Sequence, residues 1–273
     1  MKKKKTTGRI VLEVIGILLA LLWLSPFYIM LVNAFKTKRE MFENTLAPPS
    51  EPVFQNFIQA FQELDFLRTF FNSFLITSLS IVCIVFFSAM AAYALSRNKS
   101  KVSGIIFFLF VASMLIPFQS VMIPLVKMFS ELQSLNKWGL IFMYIGFGSG
   151  LSLFLYHGAL KNIPISLDEA AKIDGATKWQ TFWHVIFPLL RPIGITVAIL
   201  NVIWIWNDFL LPSLVLGQGD ETIPLKLFLF FGQYTKQWTL ALAGLTISII
   251  PVIIGYFIAQ KHIIKGVSDG AVK

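Results

Sequence analysis

The chain has 273 residues, 56% of them hydrophobic and only 14% charged, with 27 Phe and 7 Trp, and its mean hydropathy is +0.73. Soluble domains run at about 45–50% apolar and about 25% charged, so there is too little charge here to cover a water-facing surface, and the aromatic content excludes a disordered chain. The single cysteine, Cys83, excludes a disulfide framework and a cysteine-based zinc site.

A helix crosses a bilayer core with about 20 mostly apolar residues. In chain order the predicted spans are Ile10–Phe35, interrupted by Glu13, then Thr69–Ser96, Val102–Val126, Trp138–Leu160, Pro192–Gly219, which carries Asp208, and Gln237–Gln260. These runs are continuous rather than alternating, which argues against a β-barrel. The Lys-rich start reads as part of a retained helix, because its apolar run exceeds the roughly 7–15 residues of a signal-peptide core and no small-x-small site closes it. With the N-terminus inside, 15 of the 23 Lys and Arg residues fall on the cytoplasmic side. That bias predicts an all-α integral membrane protein with six transmembrane helices, N-in and C-in. It also accounts for the formal charge of +9 without nucleic acid.

The longest external segment, 36–68, is rich in Glu and Pro and too small for a core of its own. The internal segment 161–191 is the most informative. Ser166 precedes Glu169, and Thr177 precedes Gln180, each with the spacing of a capping box. Gly175 between them marks a helix end at positive φ, and Pro188 stops or kinks the second helix. The prediction is a helix–turn–helix at the cytoplasmic surface. Leu167, Ala170, Ala171 and Asp174 share one face of its first helix, where two alanines leave a low profile for another surface. The same pattern also suits an amphipathic helix resting on lipid headgroups.

The run Glu169-Ala170-Ala171-Lys172-Ile173-Asp174-Gly175-Ala176, with Ile186-Phe187-Pro188 after it, resembles the EAA loop of ABC importer permeases. Residues 23–35, Asn56-Phe57, Asn72-Ser73, Met114–Pro117, Ile123-Pro124, Trp206–Phe209 with Pro212, and the tail from Gly266 through Gly270-Ala271-Val272-Lys273 are similar to the carbohydrate-uptake, maltose-type branch of that family. The resemblance covers nearly the whole chain. The spans and charges above divide the chain into a cytoplasmic N-terminus (1–9), a first transmembrane helix (10–35), an external loop (36–68), a five-helix core (69–260) and a cytoplasmic tail (261–273), and the resemblance implies that 161–191 within that core is a coupling loop. It further implies a permease subunit of an ATP-driven sugar importer in the cell membrane, working with a second permease, two ATPase subunits and an extracytoplasmic sugar-binding protein. Leu167, Glu169, Ala170, Ala171, Asp174 and Gly175 would couple to the ATPase, and Gly266, Gly270 and Ala271 of the tail would reach toward it.

No G-x-x-x-x-G-K-[ST] occurs in the sequence, so the chain cannot cradle ATP phosphates in a P-loop. ATP and magnesium are expected on the partner ATPase, with no cofactor, metal or catalytic residue in this chain. His157, His184 and His262 show no metal-ligand spacing.

Asp208 is the ionisable group deep in the fifth span, and Asn201, Trp204, Trp206 and Asn207 lie close to it in sequence. Amides, a carboxylate and aromatic faces suit a sugar's hydroxyls and C–H surfaces. Asp208 thus stands as a pathway residue, a residue beside a helix break capped by Asn207 before Pro212, or a subunit-packing residue. Gln119 after Pro117 either lines a pathway or satisfies freed backbone groups. Gly146, Gly148 and Gly150 read as close helix packing. The rival function is a secondary transporter or channel independent of any ATPase.

Overall fold

The structure is a computed structural model and describes residues 7–232 and 237–271. Its elements are α1 (Thr7–Ala34), α2 (Lys38–Glu43), α3 (Gln55–Glu63), α4 (Phe66–Arg97) and α5 (Lys101–Ser113). Next come α6 (Phe118–Glu131), α7 (Lys137–Leu160), α8 (Ser166–Ile173), α9 (Lys178–Thr181) and a π-turn over Phe182–Ile186. The rest are α10 (Phe187–Leu189), α11 (Arg191–Trp206), α12 (Leu210–Val215), α13 (Ile223–Phe228) and α14 (Trp238–Ala271). Helices α1, α4, α7 and α14 are each long and apolar enough to cross a membrane. Two bent pairs raise the number of spans to six when each pair is taken as one.

The bends correct the expectation of unbroken third and fifth spans. The run Val102–Val126 is two helices meeting at 102°. The last amides of its first half bond three residues back, Met114 to Val111, Leu115 to Ala112 and Ile116 to Ser113, which tightens and ends the helix. Pro117 has no N–H and disfavours a helical residue before it. It then opens the second half, its carbonyl accepting Ser120 N at 3.0 Å.

The run Pro192–Gly219 ends as a helix at Trp206 and resumes at Leu210. An unbroken helix would place the Pro212 ring against the carbonyl four residues back. Stopping at Asn207 instead puts Pro212 in a first turn, where no N–H is needed.

By internal contacts the chain divides into two compact units, residues 1–66 with 226–254, and residues 67–225 with 255–273. The first is knotted where α1 ends. Lys36 is fully buried, and its Nζ donates to Asn33 Oδ1 at 3.2 Å and to the Asn44 carbonyl at 2.7 Å. Asn33 Nδ2 donates to the Ile29 and Thr45 carbonyls, and Asn56 Nδ2 to those of Ala34 and Lys36. A lysine is rarely this dry. Here carbonyl and amide oxygens replace the water that its ammonium loses. In the same unit Gly244 admits Leu227, Leu64 and Phe230, which a Cβ would meet at 2.9–3.1 Å.

The second unit holds a core that includes Ile84, Tyr144, Leu153, Tyr156, Phe182 and Ile186. Its glycines divide by position. A Cβ on Gly148 would lie 2.6 Å from Ile84 Cδ1 and 2.7 Å from Asn201 Oδ1, and one on Gly150 2.8 Å from Met114 Cγ. Gly146 faces open space. Close packing therefore belongs to Gly148 and Gly150, and Gly146 takes no part in it.

Candidate functional site

The segment after α7 folds as the expected hairpin. Gly175 turns at φ +80°, the left-handed region that glycine enters without cost, and Ala176 N bonds the Ala171 carbonyl at 2.9 Å across the turn. Thr177 Oγ1 accepts Gln180 N at 3.2 Å, and Gln180 Oε1 accepts Thr177 N at 2.8 Å, a complete capping box. The expected box at Ser166 and Glu169 does not form. Helix α8 is entered one residue earlier, with Ile165 already helical and making no side-chain cap, because Pro164 and Ile165 start the turn and accept the amides of Leu167 and Glu169.

Pro188 does not stop the second arm. The π-turn before it lets Phe187 N bond Phe182 O, so the missing N–H of Pro188 falls at a register change. The arm then bends 75° between Leu189 and Arg191.

Of the residues expected to couple, Glu169, Ala170, Asp174 and Gly175 are exposed, and Leu167 is about one-third exposed. Ala171 is buried within the chain. Glu169 and Asp174 make no side-chain hydrogen bond or ion pair among the described residues. The helix α14 runs through Gly266, Gly270 and Ala271; Val272 and Lys273 lie outside the described residues.

Three residues that the sequence did not single out hold the hairpin from behind. Asp168 Oδ2 pairs with Arg97, at 2.9 Å from Nη2 and 3.0 Å from Nε, and Asp168 Oδ1 accepts Tyr93 OH at 2.6 Å. Arg97 Nη2 also donates to the Ile163 carbonyl at 3.1 Å. On the same face of α4, Phe86 meets Trp179, Phe182, Trp183 and Phe187 with ring centroids 5.6–6.4 Å apart.

The expected pathway residues are not gathered into one cluster. Asn201 is buried, donating from Nδ2 to Ser152 Oγ at 3.1 Å and to the Val197 carbonyl at 2.8 Å. With Trp204, Gly146, Ser113, Met114 and Phe118 it lines a mostly apolar cleft of about 560 Å³ in the elbow between α5 and α6. Gln119 is exposed at the start of α6. Trp206 packs its ring edge-on against Phe70 at 6.1 Å. Asn207 closes α11, with Nδ2 on the Ile203 carbonyl at 2.8 Å. Asp208 sits at the break: Oδ1 accepts Leu210 N at 3.0 Å, and Oδ2 accepts the buried Tyr144 hydroxyl at 2.9 Å. Among the described residues no group of three or more His, Cys, Asp or Glu side chains could hold a metal ion.

Residues 84–269 match the family described as binding-protein-dependent transport system inner membrane component. The chain is 53% identical over 99% of both chains to a probable starch degradation products transport system permease of Thermoanaerobacterium thermosulfurigenes. It is 38% identical to a multiple sugar-binding transport system permease of Streptococcus mutans, covering 97% of this chain and 95% of that one. A melibiose, raffinose and stachyose import permease of Bacillus subtilis is 31% identical over the full length of both. In fold it resembles a chain of a bacterial ABC transporter that imports the acidic polysaccharide alginate, with TM-score 0.76 at 24% identity over 96% of this chain and 99% of that one. These are transport permeases and not enzymes, and none supports a transporter that works without an ATPase. The chain belongs to the binding-protein-dependent transport system inner membrane components, and its kinship with carbohydrate-uptake permeases extends over its whole length.

Proposed function

We propose that this permease lines, with a second permease subunit, the pathway of an ATP-driven sugar importer in the cell membrane. Two ATPase subunits bind ATP and magnesium beneath it, and an extracytoplasmic sugar-binding protein delivers the solute. The hairpin Ser166–Leu189 is the coupling element. Leu167, Glu169, Ala170, Asp174 and Gly175 contact the ATPase, Ala171 supports them from inside, and Gly266, Gly270 and Ala271 approach the same partner. Gln119, Asn201, Trp206, Asn207 and Asp208 contribute to the pathway side. A sugar is the solute because the relatives of 31–53% identity are named for starch products, multiple sugars and the melibiose series.

The observation that carries the coupling role is the two-sidedness of α8. Glu169 in α8 and Asp174 at its C-terminal cap are exposed and make no side-chain bond among the described residues, while Asp168 bonds Tyr93 and Arg97 and Ala171 is buried. Unpaired carboxylates at a helix surface suit cationic groups on a docking partner.

The test is a detergent pull-down of the tagged chain with mass spectrometry, for the unchanged protein and Glu169→Lys. An ATPase and a second permease are expected with the unchanged protein, and the ATPase is expected to drop out with the variant. Deletion of 166–189 is expected to abolish uptake while membrane insertion persists. Undiminished ATPase recovery with Glu169→Lys, or uptake surviving the deletion, overturns the coupling role.

A further inference from the structure

We propose that Arg97, Asp168 and Tyr93 form a strap that makes α8 move as one body with α4, so that displacement of the docking face reaches α4 directly. This rests on the coupling role of the hairpin proposed above.

Apolar packing does little to hold α8. In its eight residues only Ala171 is buried, and the next arm is joined through an exposed glycine at positive φ. A short helix held so weakly would yield locally under load before passing it on. The polar cluster supplies what the packing lacks. Both oxygens of Asp168 are occupied, one by Arg97 and one by Tyr93. The two ion-pair side chains are each only 16% exposed, so solvent screens them weakly. The second guanidinium bond, to the Ile163 carbonyl, pins the chain just before α8 begins. The guanidinium therefore holds both the entry to α8 and its first turn.

The receiving element is one helix face. Phe86, Tyr93 and Arg97 lie at i, i+7 and i+11 on α4, which places them on one side over about three turns. Tyr93 also packs its ring against Phe182 at 5.5 Å. Both arms of the hairpin thus bear on the same stripe, the first by charge and hydrogen bonds, the second by aromatic contact. Asp168, Arg97 and Tyr93 are positioning residues: Asp168 turns toward Tyr93 and Arg97 on α4, whereas Glu169 and Asp174 are exposed.

The experiment uses the assembled importer with its ATPase, in a Cys83→Ser background. Single cysteines replace the exposed Lys172 on α8 or the exposed Asn98 just past α4, and thiol labelling is read with and without ATP plus vanadate. In the otherwise unchanged complex the labelling rate is expected to change with ATP at both positions. With Asp168→Asn the change is expected to persist at 172 and to fall at least threefold at 98. Tyr93→Phe, which keeps the ion pair, is the milder second variant and is expected to weaken the change at 98 alone. The exchange Arg97→Asp with Asp168→Arg is expected to restore part of it. A purely structural ion pair would lower recovery of the complex and leave the two positions equally responsive in what is recovered. An undiminished ATP response at 98 in Asp168→Asn and Tyr93→Phe overturns the strap and leaves the coupling role standing. Absence of any ATP response at 172 in the unchanged complex overturns the coupling role itself.

Discussion

The hydroxyl of Tyr144 in α7 donates to Asp208 Oδ2 at 2.9 Å, across the break between α11 and α12. Tyr144 is fully buried, and its ring meets Trp204 edge-on at 5.4 Å. The carboxylate therefore does two jobs at once, capping α12 through Leu210 N and tying the break to α7. A hydrogen bond to a charged group contributes about 1.5–3 kcal/mol. Tyr144→Phe is expected to lose about that much stability with the backbone of α12 intact, and Asp208→Asn less, because an amide oxygen still accepts one bond. Thermal aggregation midpoints in detergent check the order. Equal midpoints for Tyr144→Phe and the unchanged protein would remove this tie from the account.

Glycines along α7 offer an internal comparison. A Cβ at Gly139 would lie 1.8 Å from the Ser134 carbonyl oxygen, a backbone atom that cannot swing aside. Gly146 meets nothing within 4 Å. Gly139→Ala is expected to cost more than about 3 kcal/mol, beyond the ordinary range for overpacking, and to reduce folded protein sharply. Gly146→Ala gains helix propensity, up to about 1 kcal/mol, and is expected to be neutral or stabilising. Fluorescence-detected gel filtration of the two variants reads the contrast, and similar profiles would contradict it.

The turn of the hairpin depends on conformation alone. Nothing lies within 4 Å of a Cβ built at Gly175, yet its φ is +80°. Gly175→Ala is expected to strain the turn by about 1–2 kcal/mol, while Gly175→Asn, a residue that tolerates this region, costs less. Protease sensitivity within 166–181 should run in the order Ala, then Asn, then Gly. An Asn variant more sensitive than the Ala variant would count against backbone strain as the cause.

Lys36 makes a sharper case than a surface lysine. Lys36→Met keeps most of the volume but leaves Asn33 Oδ1 and the Asn44 carbonyl without their donor. Unsatisfied buried acceptors cost about 1–3 kcal/mol, and the thermal midpoint should fall accordingly. An unchanged midpoint would mean that water replaces the ammonium without penalty.

Acid should loosen the segment 36–68 at Glu40. Its carboxylate accepts both Ser50 Oγ and Ser50 N at 2.6 Å, and these bonds hold its carboxyl below the usual carboxylate range. A carboxyl depressed by folding contributes its stability above the unfolded value, about 4.3, and loses it as pH falls through the folded one. A fluorophore on Glu51→Cys is expected to report loosening below about pH 4.3 that Glu40→Gln no longer shows. Identical titrations of the two would dismiss Glu40 as the trigger.

What the sequence conveyed was mostly local. Thr177, Gln180 and Gly175 specify their turn within four residues, and the structure obeys them. Ser166 misled because a nearby proline starts the helix early, and cap signals do not rank themselves. Pro117 and Pro212 mark the breaks within the third and fifth runs and Pro188 a register change, but the 102° and 75° bends depend on what the flanking helices pack against. The strap was invisible in the sequence because Arg97 and Asp168 stand 71 residues apart, where each reads as an ordinary interfacial charge. The pairing of Tyr144 with Asp208, 64 apart, escaped for the same reason.

Helix α1 places none of its most apolar 18-residue stretch in the interior of the chain. Trp23, Leu12 and Leu22 are each at least two-thirds exposed. Such a helix finds its apolar environment in lipid, since lipid tails solvate leucine as well as a protein core does. Its surface can therefore drift in sequence as long as it stays apolar, while the knot around Lys36 just beyond it cannot. The two ends of one hydrophobic segment are thus held to different standards, one by the solvent and one by stereochemistry.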